Sequence, residues 1–141
     1  MIIYTNEPES IFTTTAKSGF PSPALDYLEE RIDLNKELIE HPLSTVFVQY
    51  DGRALLDAYI PPGSKLLVDK SLEPENSNLV VAEVDRTFIV RFLKKNQHRA
   101  WLIPANKKYK EIEITNLTEV IIWGVVKHVI IDAKIPSKCM L

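Results

Sequence analysis

Asn78-Leu79-Val80-Val81-Ala82-Glu83-Val84-Asp85-Arg86-Thr87-Phe88-Ile89-Val90-Arg91-Phe92-Leu93 is the stretch that decides the fold. Two runs of Val, Ile, Phe and Thr flank a polar dipeptide, and β-branched and aromatic side chains are the ones that pack on a pleated surface. Asp85-Arg86 therefore reads as a tight hairpin turn, although neither residue is Gly. The same signature recurs on both sides, at 45–50 (TVFVQY), 65–69 (KLLVD), 100–104 (AWLIP), 110–114 (KEIEI) and 119–131 (EVIIWGVVKHVII). Pro61-Pro62-Gly63 separates the first two of these, since Pro presets φ and Gly accepts positive φ. Seven short runs after residue 44 predict a mainly β fold: one compact, curved, mostly antiparallel domain. The last run carries apolar residues on both parities (Val120, Ile121, Ile122, Trp123, Val125, Val126), more than a half-exposed strand needs, so part of it is expected to be buried by a second subunit in a homodimer.

Upstream the pattern differs. Residues 1 to about 22 hold Pro8, Pro21 and a Thr13-Thr14-Thr15 run with few periodic apolar positions, which reads as an extended arm. Ser22-Pro23 suits a helix start, and Leu25, Leu28 and Ile32 follow at helical spacing. Asp33 caps a second short turn in which Leu34, Leu38 and Ile39 should face inward, before His41-Pro42 stops it. The expected organisation is an arm with a short helix over 1–43 and a β domain over 44–141.

Composition narrows the function. The chain has 141 residues with 17 Lys+Arg against 19 Asp+Glu, a net charge of −2, so it has no global basic field for binding nucleic acid through phosphates. No apolar run approaches the roughly 18 residues of a membrane span, and the start lacks a signal peptide's basic and apolar regions, so a cytoplasmic protein is expected. Cys139 is the only cysteine and His41, His98 and His128 are far apart, so neither a disulfide, a metal site nor any other cofactor is expected. With four glycines and no GxxxxGK[ST] or GxGxxG there is no phosphate-cradling loop. Lys94-Lys95-Asn96-Gln97-His98-Arg99, followed by Trp101, is locally basic, but a charged turn between two strands accounts for it better than a nucleic-acid patch.

The glycine contexts carry the reading further. Ser18-Gly19-Phe20-Pro21-Ser22-Pro23-Ala24 is followed by Asp26-Tyr27 and Arg31-Ile32-Asp33-Leu34-Asn35; Gly52 lies in Asp51-Gly52-Arg53-Ala54-Leu55; Gly63 precedes Ser64-Lys65-Leu66-Leu67-Val68-Asp69; Gly124 lies in Trp123-Gly124-Val125-Val126. With Leu102-Ile103-Pro104-Ala105-Asn106 and Tyr109, these segments resemble, collinearly over about 18 to 130, the UmuD branch of the LexA-like self-cleaving serine peptidases. The resemblance implies a role in SOS translesion DNA synthesis, a homodimer, and a Y-family DNA polymerase subunit and the RecA filament as partners, with no specific DNA contact and no membrane.

The family cuts its own arm with a serine in a Ser-Gly-Asp-Ser-Met loop and a lysine base on a later strand. Here the resemblance puts Ala54 at the nucleophile and Arg91 at the base, with Asp51, Gly52, Arg53 and Leu55 completing the loop. A methyl group cannot attack a carbonyl, and a guanidinium with a pKa above about 12 cannot act as a desolvated lysine does. Lys94 has the wrong strand parity, Lys95 lies about 13 Å further along, and Ser44 and Ser64 belong to other segments. A trapping substitution would explain Ala54 alone, not Arg91, Asp51, Arg53 or Leu55. Ser18-Gly19 stands at the scissile position, with serine where the family usually has cysteine or alanine. The expectation is a pseudo-peptidase held in the full-length state, acting alone or as a heterodimer with an active UmuD paralogue. A self-processing peptidase with a rearranged site is the alternative. A LexA-type repressor fits less well, because about 43 residues are too few for a DNA-binding domain once the arm is counted.

Overall fold

A computed structural model of the chain describes residues 31–133. These fall into two units, one ending at Glu40 and one beginning at His41. In the second, Thr45–Tyr50 (β1), Ser64–Asp69 (β2), Leu79–Val84 (β3), Thr87–Lys95 (β4), Ala100–Ile103 (β5), Ile112–Ile114 (β6) and Val120–Ile130 (β7) form one seven-stranded sheet of order β1-β2-β7-β3-β4-β5-β6. Every neighbouring pair is antiparallel. This is the mostly antiparallel β fold expected from the sequence, and each strand lies within or beside one of the seven runs. Among the described residues no helix is long and apolar enough to cross a membrane.

The turns follow from their residues. Val84 pairs with Thr87, leaving Asp85 and Arg86 as a two-residue loop with φ of 48° and 70°. Positive φ at both central positions is what the right-handed twist of a hairpin demands. Asp tolerates that region, while Arg adopts it at a cost of about 1 kcal/mol. At Pro61-Pro62-Gly63 the Ser64 N–H donates to the Pro61 carbonyl at 3.3 Å and Gly63 has φ of 93°, the conformation that required glycine. The basic stretch after Lys95 is the β4–β5 turn: Asn96 Oδ1 accepts from the N–H groups of His98 and Arg99, both at 2.8 Å. Lys94 and Arg99 cover the Trp101 ring, and Arg99 Nε donates to Glu113 at 2.7 Å.

The sheet buries apolar side chains on both faces. Leu79 and Val81 of β3 join Tyr50, Leu55, Ile60, Leu66, Val68 and Val90 in one cluster, while Val80 and Ala82 join Leu93, Leu102 and Val125 in the other. This two-sided burial accounts for much of the apolar pattern of β7. The register skips Lys127 opposite β2 and Trp123 opposite β3, so two irregularities shift the side-chain parity along the strand. Trp123, Val126 and Val129 pack on the first cluster, and Val120, Ile122 and Val125 belong to the second. A central strand that contributes to both clusters carries apolar residues at both parities, while Ile121 stays 54% exposed. Gly124 is needed here, because a Cβ would come within 2.6 Å of Val68 Cγ1.

In the first unit, Leu34–Leu38 (α1) is a five-residue helix capped by Asp33, whose carboxylate accepts from the Asn35 N–H at 3.0 Å. Contrary to expectation, it buries none of its residues, and Leu34 is 62% exposed. Little more than one turn is too short to present a stripe to a core. The helix expected from Ser22-Pro23 lies outside the described residues.

Candidate functional site

The site begins where β1 ends. The Tyr50 ring is buried, and its hydroxyl accepts a hydrogen bond from the Ala54 N–H at 3.2 Å, folding loop 51–55 back over the phenol. A Cβ at position 52 would stand 2.7 Å from the Tyr50 ring, so this close approach requires Gly52. The loop is strapped to the segment after β5. The Ala105 N–H donates to the Ala54 carbonyl at 2.7 Å, and the Asn106 side-chain amide donates to the Arg53 carbonyl at 2.7 Å. Leu55 points into the core and is fully buried.

Arg91 comes from the middle of β4 and is 92% buried, being only 8% exposed. Its terminal NH1 donates to the carbonyl of Val90 at 2.9 Å, its guanidinium lies 5.5 Å from the centre of the Tyr109 ring, and among the described residues Nε has no hydrogen-bond partner. Burial pulls the guanidinium below its ordinary value, while the phenols of Tyr50 and Tyr109 oppose the shift. Burial likewise pushes the Tyr50 phenol up, against the Ala54 N–H and the charge of Arg91. A guanidinium holds its proton far above neutral pH, so Arg91 remains a cation there.

Ala54 and Arg91 line a single open cleft of about 350 Å³ together with Asp51, Gly52, Arg53, Tyr50, Tyr109 and the apolar side chains of β1, β3 and β4. Residues 37 positions apart in sequence are thereby brought to one place. Leu55 supports the loop from below without lining the cleft, and Ser18 and Gly19 lie outside the described residues. Ser44, Ser64, Lys94 and Lys95 do not line it. Each has other partners: Ser44 donates to Asp69, Ser64 to the Pro61 carbonyl at 2.6 Å, Lys95 to the Pro74 carbonyl, and Lys94 covers Trp101. Arg53 and Tyr109 also border a second hollow with Leu56, Asp57, Asn106 and Lys108. Sequence reasoning did not assign roles to Tyr50 and Tyr109. The available signal was Arg91 itself, a cation amid the apolar run of β4 that needed aromatic company.

A second polar centre was missed altogether. Asp69, 2% exposed at the end of β2, accepts from His41 Nδ1 at 2.6 Å, Ser44 Oγ at 3.0 Å, the Ser71 N–H at 2.9 Å and Ser71 Oγ at 2.7 Å. Burial alone would raise its pKa, but these hydrogen bonds outweigh it and hold the carboxyl well below the usual carboxylate range. Asp69 lines neither the cleft of Ala54 and Arg91 nor the second hollow.

The profile of the Peptidase S24-like family matches residues 10–127. The chain belongs to that family. Protein ImpA of Escherichia coli is 35% identical over 121 residues, covering 85% of this chain and 81% of ImpA. Protein SamA of Salmonella typhimurium is 37% identical over 116 residues, covering 82% and 80% of the two chains. The LexA repressor of Alcanivorax borkumensis is 29% identical over 129 residues, covering 92% of this chain but 62% of the repressor. These similarities agree with the UmuD and LexA resemblance seen in the arm and loop motifs.

Proposed function

We propose that this member of the family is a non-catalytic, UmuD-like accessory or regulatory subunit of SOS translesion DNA synthesis that cannot cut its own arm and so stays full length. The observation that carries the reading is the shared cleft of Ala54 and Arg91. Acyl transfer by this family's chemistry needs a nucleophilic oxygen and a base able to lose a proton, and a methyl group and a guanidinium supply neither. The prior engagement of Ser44, Ser64, Lys94 and Lys95 elsewhere weighs against substitutes. A homodimer, a heterodimer with an active paralogue, and contacts with a Y-family polymerase and the RecA filament belong to the same proposal through the resemblance. The test is intact-mass measurement after incubation with activated RecA filaments, and separately at alkaline pH. The full-length mass should persist in both. A product beginning at Gly19 would establish self-processing instead.

A further inference from the structure

Charge around the cleft is unusual in kind. Arg91 sits in the cleft without a counter-ion among the described residues, and the ion pairs His41–Asp69 and Arg99–Glu113 do not involve it. Asp51 borders the same cleft, yet its carboxylate takes the Gln49 side-chain amide at 3.3 and 3.4 Å. Arg53 lies on the rim, and the segment just beyond β5 adds Lys107, Lys108 and Lys110 around Tyr109. A guanidinium removed from water without a paired anion is costly, and an unpartnered Nε adds to that cost. The Tyr109 face and the Tyr50 phenol offset only part of it. Such a group gains most from a ligand that brings the missing negative charge.

We propose that the cleft of Ala54 and Arg91 is a recognition site for an acidic peptide, with a Glu or Asp carboxylate of a partner protein engaging the Arg91 guanidinium and the neighbouring residue resting on the apolar wall. Three features select this ligand. A carboxylate matches the planar fork of a guanidinium. The wall formed by Val48, Val81, Phe88 and Ile89 suits a side chain beside the acid rather than a phosphate backbone. A volume of about 350 Å³ fits a short peptide segment. A nucleic acid would instead be read by a groove of several cations tracking its backbone, whereas this is one largely buried cation among the residues that line the cleft. The chain's own Lys17-Ser18-Gly19 would bring a further positive charge toward Arg91 and Arg53, so the cleft favours an acidic segment over that one. The inference concerns binding and does not depend on whether the arm is cut.

The test is an NMR titration of the full ¹⁵N-labelled chain, following the Arg91 Nε–H and the amides of Gly52, Arg53 and Ala54. The probes are the tripeptide Ac-Val-Glu-Ala-NH₂, its glutamine counterpart and a ten-residue oligothymidylate. The glutamate peptide should shift these signals saturably, at least tenfold more tightly than the glutamine peptide, and Arg91→Lys should weaken it severalfold because the fork is lost. Equal binding of the two peptides, or no saturable shift with either, would overturn the proposal. So would stronger binding of the oligonucleotide at the same residues. The comparison of two peptides on the unaltered protein does not depend on any variant folding. Its failure would leave the mass measurement untouched, so the two readings fall separately.

Discussion

Asp69 and Arg91 are both buried charges in the same β unit, and their surroundings are opposite. The carboxylate of Asp69 collects hydrogen bonds from three side chains and one backbone amide, and it ties the chain at His41 and Ser44 to the end of β2. The guanidinium of Arg91 makes one hydrogen bond, to the carbonyl of the residue before it, and leaves Nε unpartnered beside an open cleft. A saturated buried charge holds structure together. An unsaturated one facing a cleft costs stability, and what it offers in return is affinity for something outside.

The largest effect should come from removing the saturated charge. Asp69→Ala strands the hydrogen-bond donors of His41, Ser44 and Ser71, and should lower the thermal midpoint on the order of 10 °C, as read by circular dichroism. A change of only a degree or two would mean that water takes over these donors and that the two charges differ less than their contacts suggest.

The second effect is one of pH. The folded carboxyl of Asp69 titrates below its unfolded value of about 3.9, so its contribution is complete above that value and is lost as pH falls below it toward the folded pKa. Denaturant unfolding of the unaltered protein should weaken between about pH 4 and pH 2, and Asp69→Asn should flatten that interval. Arg91 has no counterpart in this range, since it stays charged throughout.

Smaller in yield is the attempt to rebuild chemistry. Ala54→Ser with Arg91→Lys should produce slow cleavage at Ser18-Gly19 in the presence of RecA filaments, measured by mass, whereas either change alone should produce none, because nucleophile and base act as a unit. Adding Asp51→Ser should speed it, since a carboxylate lining the same cleft would hold the new lysine protonated. A folded triple variant that remains uncut would mean that the cleft has diverged beyond these positions.

The smallest effect should be on stability when the unsaturated charge is replaced by a side chain of similar length. Arg91→Met removes an uncompensated cation and should leave the unfolding free energy unchanged or raise it by about 1 kcal/mol. A loss of several kcal/mol would place Arg91 with Asp69 as a structural charge.

The strands were legible because β-branched and aromatic residues concentrate in them and because Pro61-Pro62-Gly63 and Asp85-Arg86 fix their ends. Arg91 and the loop around Ala54 were legible through the family resemblance of the segments that carry them. The irregularities of β7 were not, because a parity shift depends on which neighbours a strand acquires, and β2 and β3 come from distant sequence. The Asp69 centre was hidden for the same reason: His41 and Asp69 are 28 residues apart, and neither looks unusual in its own segment. Leu34 misled because helical spacing says which residues share a face, not whether anything covers it.

The place of β7 between β2 and β3 also governs how the molecule can be made. The β1–β2 hairpin and the meander from β3 to β6 are local and can form while the chain is still emerging from the ribosome. The ladders that join them need residues 120–130, which are synthesised late. A chain without that strand would leave the inner edges of β2 and β3 without their partner and open to other strands. β7 works as a keystone, because no other ladder of the described sheet joins the β1–β2 pair to the β3–β6 meander.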